Sequence, residues 1–503
     1  MSFKNILKGL SVWDFLGLLF ILILNLYLKL PPTLNGFFAF TYDQGRDLLQ
    51  VAKIVYDHTP TLIGPTTGLG GIFYGPWWYY FLSPILLLSG GNPQIVAIWF
   101  VLIGIATILT LFFFTKSQTS TKIAFTIALI ATLSRSWMLA PTIIWSTALT
   151  PILMIAAFYL LLKTYQKQTK INLFLLAALS FLVMDAEVPW GICWILFLIL
   201  LALCKRTFLK RNFIFAIFGG FIIIFPRILF EIKHSFLMTN TVVAYLKNPP
   251  VYGERETFVF RLLDRIDIYF GLFSQSFTQG NKAWAAFLLL AITILTAMLL
   301  KGGVKLFKKE RLLITAAAFL AFSLLFFSFY KDRVWEYYLI GLPITYILII
   351  STLVKMGLED KTTKIYTLVL GILILILNIN FSVLKPFKIT WLGDNATYRN
   401  QILAMDYIAS QKPTNYSYFA YTPAFFDYPF DYLFYWYSKT GRLETPKKNQ
   451  NVFYLIIRNA SNHEYLAVGW YGDKTQDKTK IIDAKTFPGD LLVEKHIKNE
   501  AKN

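Results

Sequence analysis

Long apolar runs recur along the chain up to about residue 384 and then stop. Their length and spacing predict eleven helices, near 11–30, 93–114, 122–137, 143–162, 171–184, 187–204, 212–229, 283–300, 312–330, 336–354 and 365–384. A run of about 18 or more apolar residues can cross a bilayer. Shorter or broken runs are tolerated there when neighbouring helices cover their backbone. The connections alternate in character. Short ones carry Lys4 and Lys8; Lys116 and Lys122; Lys163, Lys167 and Lys170; Lys205, Arg206, Lys210 and Arg211; Lys301, Lys305, Lys308, Lys309 and Arg311; and Lys355, Lys361 and Lys364. The long segment 31–92 holds only Arg46 and Lys53. Cation-rich loops stay on the cytoplasmic side. The N-terminus is therefore predicted to be cytoplasmic, with 31–92, 230–282 and 385–503 outside. The last segment predicts a helix at Asn400–Ser410 and strands at Val452–Arg458 and Leu491–Lys495. The predicted fold is an α-helical polytopic membrane protein of about 11 transmembrane helices over 1–384, with 31–92 as first outer loop. A small α+β outer domain follows over 385–503.

Composition narrows the function. Of 503 residues, 56% are hydrophobic and 15% charged, against about 25% charged in soluble domains. A soluble enzyme, a disordered chain and a disulfide scaffold are excluded. The net charge of +20 falls largely in the short loops, so it reports topology and not a nucleic-acid partner. Cys193 and Cys204 stand roughly 16 Å apart along one helix, beyond disulfide reach, and no zinc-ligand spacing occurs. The run from Val12 is longer than a signal h-region and lacks a small-residue cleavage site, so it predicts a retained first helix. A phosphate-binding P-loop and a dinucleotide fingerprint are both missing from the sequence.

The first outer loop holds the chemistry. It opens Tyr42-Asp43-Gln44-Gly45-Arg46-Asp47, and Leu48, Val51, Ala52 and Val55 follow at helical spacing. That pattern predicts an amphipathic helix lying on the membrane surface. Asp43, Asp47, Gln50 and Asp57 fall on another stripe, placing carboxylates at head-group level. A plainer reading makes Asp43 a helix N-cap and Asp47 a first-turn acid facing the helix dipole. A glycine-rich run then leads to Tyr74-Gly75-Pro76-Trp77-Trp78-Tyr79-Tyr80. This block reads as an interfacial aromatic belt or as a platform for a sugar ring.

A first helix followed by these two motifs resembles the membrane-embedded C-type glycosyltransferases. The chain is most similar to their protein-mannosyltransferase and aminoarabinose-transferase group, glycosyltransferase family 39. The resemblance implies that fold and a hexosyl- or pentosyltransferase of the cell envelope. It implies a polyprenyl-phosphate-linked sugar as donor, inverting transfer on the outer face, and a catalytic acid at the start of the first outer loop. That position is Asp43, with Asp47 in support and Tyr42, Arg46, Tyr74, Trp77 and Trp78 as substrate contacts. The sequence departs from the family pattern at Gln44, where a Glu is usual. It departs at Tyr74-Gly75-Pro76, where a basic residue precedes proline, and at Pro141-Thr142-Ile143-Ile144, where an acid is usual.

Inverting transfer needs a base to deprotonate the acceptor and cations to hold the leaving phosphate. Ionisable residues at the outer helix ends supply candidates. Arg227, Lys233 and His234 close one helix, and Lys331 and Arg333 follow another. Arginine's planar fork suits phosphate best, which ranks Arg227 and Arg333 first. Asp185 and Glu187 are substrate contacts or ligands for a divalent cation. No cofactor is required for certain, and the metal is unknown. Snorkelling or solvated helix ends are the plain alternative for all of these. The expected partners are a polyprenyl-phosphate sugar, membrane lipids and a glycan, lipid or protein acceptor. The expected location is a bacterial inner membrane. Rival readings are a polysaccharide polymerase or ligase, a non-catalytic membrane protein, and a transporter. No repeated halves of the kind transporters show are visible.

Overall fold

The structure is a computed structural model. It describes residues 11–68, 70–135, 143–204, 212–247, 257–301, 310–379, 384, 387–388, 392–422, 426–458, 464–475 and 479–498. Lys4, Lys8, Pro141, Thr142, Lys205, Arg206, Lys210, Arg211, Lys305, Lys308 and Lys309 lie outside the described residues.

The membrane part comprises α1 (Val12–Leu34), α2 (Tyr42–Tyr56), α3 (Trp77–Leu88), α4 (Pro93–Gln118), α5 (Thr121–Leu133), α6 (Thr150–Gln166), α7 (Lys170–Ala186) and α8 (Val188–Cys204). It continues with α9 (Phe213–Lys233), α10 (Leu237–Lys247), α11 (Phe258–Phe277), α12 (Lys282–Lys301), α13 (Arg311–Phe329), α14 (Leu342–Glu359) and α15 (Lys364–Asn378). Each of the eleven predicted helices has a counterpart. Seven of the helices are long and apolar enough to cross a membrane. The bundle buries aromatic residues tightly. Phe319 of α13 is ringed by Phe158, Trp190, Trp194 and Phe197, with centroids 5.0 to 6.0 Å away.

Among the helices not legible in the apolar runs, two bear on the site and the core. The aromatic block forms α3, which buries Trp78, Tyr79, Leu82, Ile85 and Leu86. The segment 230–282, read as an outer loop, contains α11, whose Tyr269, Leu272, Phe273 and Phe277 enter the bundle core. Arg261, Asp264, Arg265 and Asp267 break the apolar character of its first half. Arg265 is buried there because carbonyls receive it. It donates to Phe327 O at 3.3 Å, in the last turn of α13, and to Asp332 O at 2.8 Å, just beyond it.

The C-terminal part adds α16 (Tyr398–Ser410), β1 (Tyr416–Tyr421), α17 (Tyr428–Lys439), β2 (Val452–Arg458), α18 (Glu464–Thr475), β3 (Thr479–Phe487) and β4 (Leu491–Lys498). The sheet order is β1-β2-β4-β3. β1 and β2 are parallel, and the other pairs antiparallel. The predicted α+β layout is thus present. Its core is continuous with the first outer loop: Phe38, Phe40, Leu48 and Val51 share one buried cluster with Tyr398, Phe430, Tyr432 and Leu433.

That continuity corrects the reading of α2. Its apolar face does not rest on the membrane. It is enclosed by α3 on one side and α17 on the other, and Leu48 and Val51 have no exposed surface. Burying such side chains stabilises by about 1.5–3 kcal/mol each. Gly45 permits the close approach, because a Cβ there would lie 2.4 Å from the Tyr428–Pro429 backbone.

Candidate functional site

The helix start at Tyr42 follows from Thr41 and Gln44. Thr41 is the N-cap in extended conformation, and Gln44 Oε1 accepts from Thr41 N at 2.8 Å and from Thr41 Oγ1 at 2.7 Å. The other end of the Gln44 amide donates to Ile144 O at 3.3 Å. Gln44, the departure from the family's Glu, thereby ties α2 to the segment before α6. Asp43 is one residue inside the helix, so the N-cap reading of it is corrected. Its carboxylate is released for other work.

Arg46 joins the two acids. Its Nη2 lies 2.9 Å from Asp43 Oδ1 and its Nε 2.8 Å from Asp47 Oδ1. Asp47 points into the protein and not toward head groups, a second correction. Trp78 Nε1 donates to its Oδ2 at 2.7 Å, and the Tyr79 hydroxyl reaches Oδ1 at 3.5 Å. Burial pushes the Asp47 carboxyl up to about 6, although Arg46 and Trp78 pull the other way. Burial alone would lower the Arg46 guanidinium, but Asp47 and Asp43 hold it well above its ordinary range. It stays charged. Asp43 is the exposed member, with 36% of its side chain accessible against 1% for Asp47. Tyr42 packs on Phe426 and Tyr428 of the C-terminal part, at 5.5 and 5.1 Å between centroids. The Arg46 guanidinium lies 5.1 Å from the Tyr42 ring.

A second charged group lies at the ends of α7 and α9. Arg227 Nη2 is 2.5 Å from Asp185 Oδ1. Asp185 Oδ2 and both Glu187 oxygens are buried without a hydrogen-bond partner. Gly75 abuts this pair: a Cβ there would lie 1.8 Å from Asp185 Oδ2. Where the family pattern has a basic side chain before proline, this chain therefore has room for an acid from another helix. Asp185 is paired with Arg227. Among the described residues there is no group of three or more His, Cys, Asp and Glu suited to a metal ion.

The aromatic block links the two groups, because Trp78 holds Asp47 while Gly75 abuts Asp185. Burial raises the Tyr74 hydroxyl well above its usual range, and the charges of Glu187 and Asp43 add to that. Tyr337, just before α14, packs against Trp145 and Trp335, with centroids 5.0 and 6.3 Å away. Trp77, Trp78 and Asp185 also line one cavity of about 260 Å³, with Phe81, Ser146 and Leu182. Trp77 is anchored by donating to Ile223 O of α9 at 2.8 Å. Trp78 is buried and its indole N–H is committed to Asp47, so it acts as a support for the acid.

The remaining candidates are exposed. Lys233 and His234 follow Arg227 at the end of α9, and the His234 ring lies tilted over Phe230 with centroids 4.2 Å apart. Lys331 is exposed, and Arg333 lies over the Trp335 ring at 3.9 Å. Tyr337 and Gly75 were not singled out for a role by the sequence. Gly75 carried a signal, as a break in the family pattern.

No protein-family model and no curated protein sequence matches this chain. Solved structures do. The architecture is the C-type glycosyltransferase fold of integral membrane proteins. It is similar to ArnT from Cupriavidus metallidurans in the apo state, with a TM-score of 0.59 and 12% identity over 96% of this chain and 97% of that one. The same protein bound to undecaprenyl phosphate gives a TM-score of 0.58 and 11% identity over 96% and 98%. A lesser likeness, with a TM-score of 0.43 and 11% identity, links 86% of this chain to 64% of the archaeal oligosaccharyltransferase AglB from Archaeoglobus fulgidus. At these identities the likeness is one of fold.

Proposed function

We propose that the protein is a membrane glycosyltransferase that moves a sugar from a polyprenyl-phosphate carrier to an acceptor at the outer face, with inversion. The observation that carries this reading is the Asp43–Arg46–Asp47 cluster, tied through Trp78 to the cavity that Trp77, Trp78 and Asp185 line, with the acids Asp185 and Glu187 at the end of α7. One of those acids is exposed and rigidly held. Asp43 is the general base: it takes the acceptor's hydroxyl proton as that oxygen bonds to the sugar's C1. The C1–phosphate bond breaks on the opposite side, and the electron pair leaves with the carrier phosphate. Arg227 receives that phosphate, and Glu187 holds the sugar through its hydroxyls. Arg46 and Asp47 position Asp43.

The carrier half of the reading has separate support. An apolar groove of about 510 Å³ runs between α7, α8 and α9. Ala177 and Phe181 of α7, and Ile217, Gly220 and Ile224 of α9, line it. Asp185 and Arg227 extend those two faces by one more turn each. A phosphate at Arg227 would place its hydrocarbon tail along the groove. The ArnT structure bound to undecaprenyl phosphate is consistent with such a ligand for this fold. The acceptor side faces outward, with the N-terminus cytoplasmic.

The test supplies purified protein with a series of labelled polyprenyl-phosphate sugars and candidate acceptors, and identifies products by mass spectrometry. Transfer of sugar with release of free polyprenyl phosphate is the expected result. If no donor in the series is consumed while the protein remains folded, the reading fails.

A further inference from the structure

We propose that the far end of the bundle carries a second, non-catalytic site, which binds the phosphodiester of an anionic phospholipid in the leaflet opposite Asp43. The cavity lies where α4 and α6 end and α13 begins, beside the last turns of α14. It measures about 540 Å³, and its lining includes Gln118, Gln166, Glu310, Arg311 and Lys355. The other ends of these helices face the candidate functional site: Ile103 of α4 and Ile152 of α6 line the Trp77–Asp185 cavity, while Tyr337 precedes α14. The two sites therefore occupy opposite ends of the same helices.

Charge selects the ligand. Lys355 Nζ is paired with Glu310 Oε1 at 2.8 Å, which cancels both. Arg311 uses Nη1 on Tyr165 O at 3.1 Å. That bond holds the guanidinium in place and leaves Nε and Nη2 of its planar fork to donate. Among the described lining residues the net balance is one cation, matching one phosphodiester, and an arginine fork binds two of its oxygens at once. Basic pockets between membrane helices at the cytoplasmic side are the usual sites for anionic head groups. Position points to a lipid in place of a soluble anion. Ile314, one turn into α13 from Arg311, is exposed, so an acyl chain could continue down apolar surface from the head group.

The experiment uses the full-length protein in detergent, offered equal amounts of phosphatidylglycerol and phosphatidylcholine, with retained lipid read by native mass spectrometry. One phosphatidylglycerol per protein should be retained, with phosphatidylcholine retained at least tenfold less. Arg311→Gln should reduce the phosphatidylglycerol signal about tenfold, the equivalent of about 1.4 kcal/mol. Lys355→Gln tests the neighbouring wall, and thermal unfolding reports whether loss of its ion pair unfolds the bundle. Lys361→Gln, which removes an exposed cation outside the cavity, should leave retention unchanged. Equal retention of the two lipids, or full retention by a folded Arg311→Gln variant, overturns the proposal. So does displacement of phosphatidylglycerol by inorganic phosphate at matched concentration, which would make the ligand a soluble anion.

Discussion

The acids of α2 and those between α7 and α8 are held in opposite ways. Around Arg46 each carboxylate has a cation within 2.9 Å, and Asp47 has an indole donor besides. Around Arg227 one carboxylate is paired, while Glu187 is buried with both oxygens unpartnered. Uncompensated burial of a charged group is costly unless a partner arrives. The first group is thus complete and presents one acid to solvent. The second is incomplete and suited to receive donors from a ligand. Rigid positioning serves a base, which must meet a proton in one geometry. Buried acceptors without partners serve recognition.

The comparison breaks most readily at Asp43. Asp43→Asn should lower transfer by about 10²- to 10⁴-fold, the usual worth of a general base. Stability should change by less than about 1 kcal/mol, because the lost pair is partly exposed and Thr41 with Gln44 keeps the helix start. Normal turnover at equal folded concentration would remove Asp43 from the mechanism.

Arg227→Ala is expected to leave Asp185 buried without its cation, costing about 3–5 kcal/mol of stability. Adding Asp185→Asn should restore much of the thermal stability but not donor affinity. Recovery of both together would make the pair purely structural.

A smaller effect separates the complete cluster by pH. The Asp47 carboxyl, at about 6, binds its proton more tightly in the folded protein than the roughly 3.9 of an unfolded chain. Its contribution to stability is therefore full below about pH 4 and is lost as pH rises through about 6. Thermal unfolding between those values should show a decline that Asp47→Asn flattens. An identical pH profile in the variant would mean that Asp47 does not titrate there.

The smallest effects belong to Lys233 and His234. Replacing either by alanine should shift stability by no more than about 0.5 kcal/mol and donor affinity less than twofold. A tenfold loss in donor binding would move the phosphate site outward from Arg227.

Much of this architecture was readable where physics is local. Apolar runs announced the spanning helices, and the short β-branched and aromatic run Val452–Arg458 marked β2 to the residue. The spacing of Asp43 and Asp47 placed both near one helix start. What escaped was set by distant partners. Whether the apolar stripe of α2 faces lipid or protein depends on α17, more than 370 residues later. The Asp47–Trp78 bond spans 31 residues and the Asp185–Arg227 pair 42. Helix α11 was hidden because its charges look like loop residues until the carbonyls at the end of α13 receive Arg265. Gly75 was noticed as an oddity, but its meaning required Asp185 to be placed against it.

The contact of Gly45 with the Tyr428–Pro429 backbone also bears on biosynthesis. During translation the ribosome releases α2 early, and α17 follows some 370 residues later. At about 5–20 residues per second, that interval is roughly 20 to 70 s. Throughout it the helix bearing Asp43 has only half of its packing surroundings. The nascent chain therefore holds an unfinished α2 until its last hundred residues have emerged, and a message truncated before α17 should yield protein that inserts in the membrane yet never assembles the Asp43 cluster.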